Sequence, residues 1–166
     1  MPCSCQVPID SYPENAEWGP LFWTLLHSLA DRAGKQTVSM LQTDETRVWG
    51  KLLPSIGATL PCDICRNHYK EWLTENPFTI VSSIPYSSFG DWIRKLLWSL
   101  HNRINEGNKK PQFPFDSLSN YKNTDITKSW RALEPVIRKA INLNGLSLFP
   151  WKNFLGHVRG LQGIYE

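Results

Sequence analysis

Two close cysteine pairs carry the first chemical signal in this 166-residue chain, Cys3-x-Cys5 and Cys62-x-x-Cys65. Thiols at such spacing suit either metal binding or redox exchange. A zinc-stabilised Cys/His binding module is the alternative reading. Its knuckles normally lie about fifteen to twenty residues apart, whereas about 56 residues separate Cys5 from Cys62. The redox reading fits Cys62-Asp-Ile-Cys65 better, because two thiols this close can form a small exchangeable disulfide ring. Pro61 suits a helix start, and residues 66–73, RNHYKEWL, continue as helix. A cysteine there feels the positive end of the helix dipole, which favours its thiolate.

A second group of residues shares the faces of two helices. Gly19, Trp23 and His27 are spaced by four, so they stack in line beside the Phe22/Leu26/Leu29 stripe. Trp98, His101, Asn102 and Asn105 share a face of a later helix in the same way. Each could equally be a solvated residue or a satisfied core residue. Together with the cysteines they suggest a lined pocket for a flat, polar cofactor, which spacing alone does not name.

The elements that must position these groups are helical. Apolar residues at helical spacing predict helices over 17–33, 41–60, 62–75, 89–106 and 128–142. Pro54 predicts a kink or break in the second, Pro135 is awkward in the fifth, and Ser87 or Ser88 is the candidate cap of the fourth. Few segments alternate apolar and polar residues, so the expected fold is all-α, a four-helix bundle with an additional short helix. That argues against a thioredoxin-like fold, which needs strands around its C-x-x-C. The expected organisation is an arm over 1–16, a domain over 17–122, and a partly helical extension over 123–166. Trp130, Phe149, Trp151 and Phe154 in that extension are too apolar to be left fully exposed, so they either complete the core or form a partner surface.

Composition removes other classes. The chain is 41% hydrophobic and 20% charged, the range of a globular protein. A net charge of +3 does not by itself point to nucleic acid. No eighteen-residue apolar run suggests a membrane span, and the first residues, MPCSCQVPIDSYPEN, do not read as a secretory signal.

Taken in order, Trp18-Gly19-Pro20-x-x-Trp23-x-x-Leu26-His27, Pro61-Cys62-x-x-Cys65-Arg66-x-His68, His101-Asn102-x-Ile104-Asn105 and Lys110-Pro111 resemble the Erv/ALR flavin-dependent sulfhydryl oxidases. The resemblance covers roughly residues 17–122, and its compact form is most similar to the oxidases of large cytoplasmic DNA viruses. It implies FAD held inside the helical bundle. Catalysis would fall to Cys62 and Cys65, with Cys3 and Cys5 as a shuttle pair. Gly19, Trp23, His27, His68, His101, Asn102, Asn105, Lys110, Tyr121 and Lys122 would contact the cofactor. Thiol-containing proteins, among them a thioredoxin-like carrier, would be substrates, and O2 would be reduced to H2O2. A homodimer through the first helices is implied, in host cytoplasm and virion or in the mitochondrial intermembrane space. Two departures stand out. The family's additional structural cysteine pair is missing, so the bundle must rely on packing. The glycine usual before the closing lysine is Lys109 here.

Overall fold

The computed structural model describes residues 11–166 (the side chains of residues 78 and 79 aside), so Cys3 and Cys5 lie outside the described residues. The described chain is all-α, as expected. Its helices are α1 (Asn15–Arg32), α2 (Ser39–Ser55), α3 (Asp63–Glu75), α4 (Tyr86–Gly107), α5 (Ile126–Asn142) and α6 (Leu148–Tyr165). Short 3-10 turns cover Gly57–Thr59, Phe78–Ser83 and Phe115–Tyr121. Helix α1 lies between α4 and α5, α3 flanks α4, and α6 packs on both α2 and α1.

Local chemistry explains most boundaries. Helix α2 ends one residue after Pro54, where the missing N–H and the ring weaken the last turn. Helix α5 instead runs through Pro135, because one face buries Leu133, Ile137 and Ala140 and outweighs the lost hydrogen bond. The serine cap expected for α4 is not used: the helix begins at Tyr86 behind Pro85, and Ser87 and Ser88 lie in its first turn. At the other end α4 closes in a Schellman motif. Lys110 N–H reaches Asn105 C=O at 2.8 Å, Lys109 N–H reaches Glu106 C=O at 3.1 Å, and Lys109 takes a left-handed φ of 56°. The glycine that the resemblance leads one to expect there is therefore replaced by a lysine in a glycine-like conformation.

Helix α6 was not anticipated. Gly156, Gly160 and Gly163 lower its intrinsic propensity, but Trp151, Phe154, Val158 and Leu161 are fully buried in the common core. Phe154 stacks on Phe22 of α1 with centroids 5.5 Å apart. Two of the four extension aromatics thus complete the core. Trp130 packs at its edge and donates to Gln162 Oε1 at 3.2 Å, while Phe149 is 81% exposed.

One buried polar knot holds these layers in register. The Glu45 carboxyl group is inaccessible to solvent. It accepts from Gly34 N–H after α1 at 3.0 Å, from the Tyr86 hydroxyl of α4 at 2.5 Å and from the Tyr165 hydroxyl of α6 at 2.7 Å. Trp49 Nε1 donates to the Tyr165 oxygen at 2.8 Å. Burial and the neighbouring carboxyl push the Tyr86 hydroxyl up to about 12 and Tyr165 well above its ordinary value, so both remain donors. Each donor stranded in the interior costs about 1–3 kcal/mol. Glu45→Ala should therefore cost at least about 3 kcal/mol in urea unfolding at unchanged m, a Tm drop of roughly 6–12 °C. Tyr165→Phe should cost about 1 kcal/mol. An alanine variant as stable as the parent would show that these donors are served by water instead.

Candidate functional site

Cys62 and Cys65 are joined in a disulfide. Cys62 is the N-cap of α3, and its sulfur accepts from Cys65 N–H at 3.2 Å. Asp63 and Arg66 pair across the same turn, and Arg66 Nη1 donates to Leu60 C=O at 2.6 Å, pinning the approach to the helix. The two sulfurs differ in access. Cys62 is half-buried, whereas Cys65 is fully buried. The amide of Asn108, at the end of α4, donates to Cys65 Sγ at 3.5 Å.

Asn108 also lines a cavity of about 320 Å³ between α1, α4 and the segment that follows α4. Six of the residues expected at a cofactor face it: Gly19, Trp23, His101, Asn105, Lys110 and Tyr121. Asn108 and Phe113 line it as well and are not among the residues expected at a cofactor. Asn108 lies one turn after Asn105 on the same helical face, which is the only trace of it in the sequence. Phe113 carries no periodic signal, because its placement follows from a loop clamp. Asn102 makes that clamp: its Oδ1 accepts from Phe113 N–H at 2.6 Å and its Nδ2 donates to Phe113 C=O at 3.1 Å. Trp98 Nε1 donates to the same carbonyl at 2.8 Å, and Asn105 donates to Pro111 C=O at 3.2 Å.

The cavity wall is a stack of rings. Trp23 lies on His101 with centroids 4.2 Å apart and planes 9° from parallel. Phe113 stacks on His101 at 4.6 Å, and Tyr121 leans on His27 at 4.9 Å. His27 Nε2 and His101 Nδ1 are hydrogen-bonded at 2.9 Å. His27 and Lys122 line an adjoining cavity of about 420 Å³, so the histidine pair stands between the two spaces. His68 faces neither. Its ring packs against Gly107, where any Cβ would overlap it, and so it fixes the junction of α3 with the end of α4. Asn102, likewise, holds the loop rather than facing the cavity.

Two observations mark the site as built for a ligand. The Nδ1 of His27, which lines the adjoining cavity, is buried without a partner. Gly19 is buried in mid-helix, yet a Cβ there would meet nothing within 4 Å. Glycine in a helix interior costs up to about 1 kcal/mol against alanine, and no packing neighbour accounts for it here. Among the described residues no three His, Cys, Asp or Glu side chains converge as a metal set, so the zinc alternative finds no site there.

Burial keeps both imidazoles neutral. His27 is pulled down to about 3, with His101 adding to the effect, and His101 to about 4, with Lys110 adding to it. From about pH 6.5 down to about 4 the unfolded chain therefore binds protons that the folded chain does not. Stability must fall with pH in that window, by up to roughly 1.4 kcal/mol per imidazole per unit. Melting should drop from pH 7 to pH 5, and His27→Phe should make that drop shallower. An equal slope in the variant would assign the acid sensitivity elsewhere.

The fold and the site define a class: a helical domain with a helix-capping C-x-x-C disulfide beside a ring-lined cavity. Residues 20–131 match the family model described as Erv1 / Alr family, and the chain belongs to that family. Its relatives include the FAD-linked sulfhydryl oxidase of African swine fever virus (isolate Tick/Malawi/Lil 20-1/1983), 34% identical over 127 residues, which are 70% of this chain and 98% of that protein. The same protein of isolate Warthog/Namibia/Wart80/1980 is 33% identical over 132 residues, 70% of this chain and 98% of the relative. The FAD-linked sulfhydryl oxidase ERV1 of Oryza sativa subsp. japonica is 31% identical over 98 residues, 59% of this chain and 45% of the relative. No solved structure matches the chain significantly.

Proposed function

We propose that the protein is an FAD-dependent thiol oxidase that forms disulfides in substrate proteins. The observation that carries this is Asn108, which touches the buried sulfur of the disulfide and lines the ring-walled cavity. Family membership and the names of the relatives support FAD as the cavity's occupant. Trp23, His101 and Tyr121 offer ring faces and Gly19 open room. His27, Asn105, Lys110 and Lys122 offer polar contacts, with His68 and Asn102 supporting the walls. When bound, FAD supplies a two-electron acceptor that O2 reoxidises with formation of H2O2.

The chain's own part is thiol exchange. A substrate thiolate attacks Cys62 Sγ, the more accessible sulfur, and the Cys62–Cys65 bond breaks. Cys65 leaves as a thiolate. The α3 N-terminus and the Asn108 amide stabilise that charge, which makes it a good leaving group. A second substrate thiolate then attacks the mixed disulfide, releases Cys62, and leaves with a disulfide of its own. Cys3 and Cys5 would relay the same exchange from bulky substrates, including a thioredoxin-like carrier.

No described helix is long and apolar enough to cross a membrane. Likeness to the viral relatives supports a site of action in host cytoplasm and virion, with the mitochondrial intermembrane space as the setting for a cellular form. The implied homodimer pairs first helices, but α1 is already packed on α4 and α5. A homodimer through the first helices would have to use the part of α1 that those contacts leave uncovered.

The purified protein should show a flavin spectrum that bleaches on adding dithiothreitol and returns as oxygen is consumed and peroxide forms. A protein that stays colourless after refolding with FAD would overturn the reading. Cys65→Ser should retain flavin and lose thiol turnover. Asn108→Ala should slow flavin reduction by dithiothreitol about 10- to 100-fold, the value of one hydrogen bond to a charged group. Gly19→Ala should stabilise the flavin-free protein by up to about 1 kcal/mol while lowering its flavin content. Undiminished flavin content would show that the space over Gly19 is not used.

A further inference from the structure

Apolar surface gathers where two turns meet beside the disulfide. The turn between α5 and α6 carries no charged residue over 140–151, in a chain that is 20% charged. Leu143, Leu148 and Phe149 are exposed there, Phe149 more than any other large apolar side chain among the described residues. In the first turn of α3, Ile64 is 59% exposed between the two cysteines. The two turns face each other across a groove of about 400 Å³, with Ala58 and Arg66 on one side and Gly145, Leu146 and Pro150 on the other. The ring of Tyr12 lies against Gly145 and its hydroxyl feels Arg66 and Asp63, which ties the turns together. Of the nine exposed large apolar side chains among the described residues, five belong to these turns and to Tyr12. Single apolar side chains on a surface need no explanation, but a gathered set does.

We infer that this surface docks the substrate protein, and that it takes an extended apolar segment beside the substrate's thiol. The inference rests on the thiol-oxidase reading above and adds the kind of partner. Position argues for this occupant. A substrate thiolate that reaches Cys62 Sγ must lay its own chain on the surface around that sulfur. Arg66 N–H reaches Cys62 C=O at 2.9 Å, so the groove wall stands one helical turn, about 5 to 6 Å, from the attacked residue. An extended segment advances about 3.3 Å per residue, so side chains a few places from the substrate cysteine fall over the groove. Chemistry argues the same way. A protein that lacks its disulfides is often unfolded, and it then exposes apolar residues that its folded form buries. The uncharged turn accepts such residues and repels neither sign of charge. The Arg66 guanidinium is already matched by Asp63 and Leu60 C=O. Residues 20–131 carry the family match, whereas the α5–α6 turn and α6 lie beyond it. The C-terminal extension thereby has a task at the active disulfide, the selection of unfolded protein over small thiols.

The test compares two peptides with one cysteine each. One carries Leu and Phe close to the cysteine, and its twin carries Ser at those places. The full chain with Cys3→Ser, Cys5→Ser and Cys65→Ser keeps Cys62 as its one thiol. Its thiolate attacks the peptide's mixed disulfide with thionitrobenzoate. A Cys62–peptide bond forms, and coloured thionitrobenzoate leaves. The apolar peptide should react about tenfold faster, the effect of one or two well-packed contacts. The preference should hold at low and high salt, because no charge carries it. Added Leu148→Ser/Phe149→Ser should abolish the preference and leave the rate on the serine peptide unchanged. In the otherwise unaltered flavin-loaded chain, the same two substitutions should raise the KM for reduced, unfolded ribonuclease A about tenfold, with flavin content and dithiothreitol turnover unchanged.

Equal rates on the two peptides would overturn the inference, as would follow if another segment of this chain covered the face. A preference that survives Leu148→Ser/Phe149→Ser, or that salt removes, would overturn it too. A parent that sediments as a dimer and is split by the same two substitutions would assign the face to a second copy, again against the inference. Should the double variant lose its helical circular dichroism, Leu143→Ser at the other end of the turn takes its place. A chain that oxidises no dithiothreitol sinks the oxidase reading, while the thionitrobenzoate assay still decides the docking surface, because it needs no flavin.

Discussion

The contact between Trp23 and His101 is the constraint on which the site depends. It sets α1 against α4 ring to ring, at 4.2 Å, and places His27 within hydrogen-bond distance of His101. Two imidazoles can be buried together only if both stay neutral, since a charge in that setting would be stranded. The surroundings enforce this. Phe113 and Tyr121 close over the pair, and the clamp from Trp98, Asn102 and Asn105 holds Phe113 there. The loop after α4 is thus a lid fastened by side chains of α4 that hydrogen-bond its backbone, and the cavity beneath it inherits its shape.

Helix α1 is consequently buried on more than one side. Its Phe22, Leu25 and Leu29 enter the core that α5 and α6 share, while Gly19, Trp23 and His27 point toward α4 and the loop. A family member without the additional cysteine pair needs another way to hold the bundle. Here the C-terminal helices supply it, through Trp151, Phe154, Val158 and Leu161, and through the Tyr165 hydroxyl on Glu45. That carboxyl group joins the end of α1 with α2, α4 and α6, a non-covalent counterpart of a staple. It also couples the extension to the helices that carry the site.

The chemistry at the disulfide follows from a difference in depth. One sulfur caps a helix at the protein surface, and the other is buried against Asn108. In the proposed mechanism, exchange with a partner and exchange with a buried acceptor would thereby fall to different atoms three residues apart. A single turn of helix is enough to separate them, because the first turn of α3 rises out of a pinned loop while its inner face meets the end of α4.

Much of this was legible in the amino-acid sequence alone. Period and spacing determined that the chain is helical, that Cys62 starts a helix, and that Gly19, Trp23 and His27 share a face, because these are properties of local geometry. Glycines hid α6, since intrinsic propensity is local while its stability comes from burying aromatics against α1 and α2. Only tertiary structure decided that Asn102 and His68 serve the walls, that Asn108 and Phe113 join the cavity, and that Glu45 is a buried hub. Each of those roles depends on which distant residue arrives opposite. A polar side chain in a sequence carries its hydrogen-bonding capacity but not its partner, and the fold alone supplies the partner.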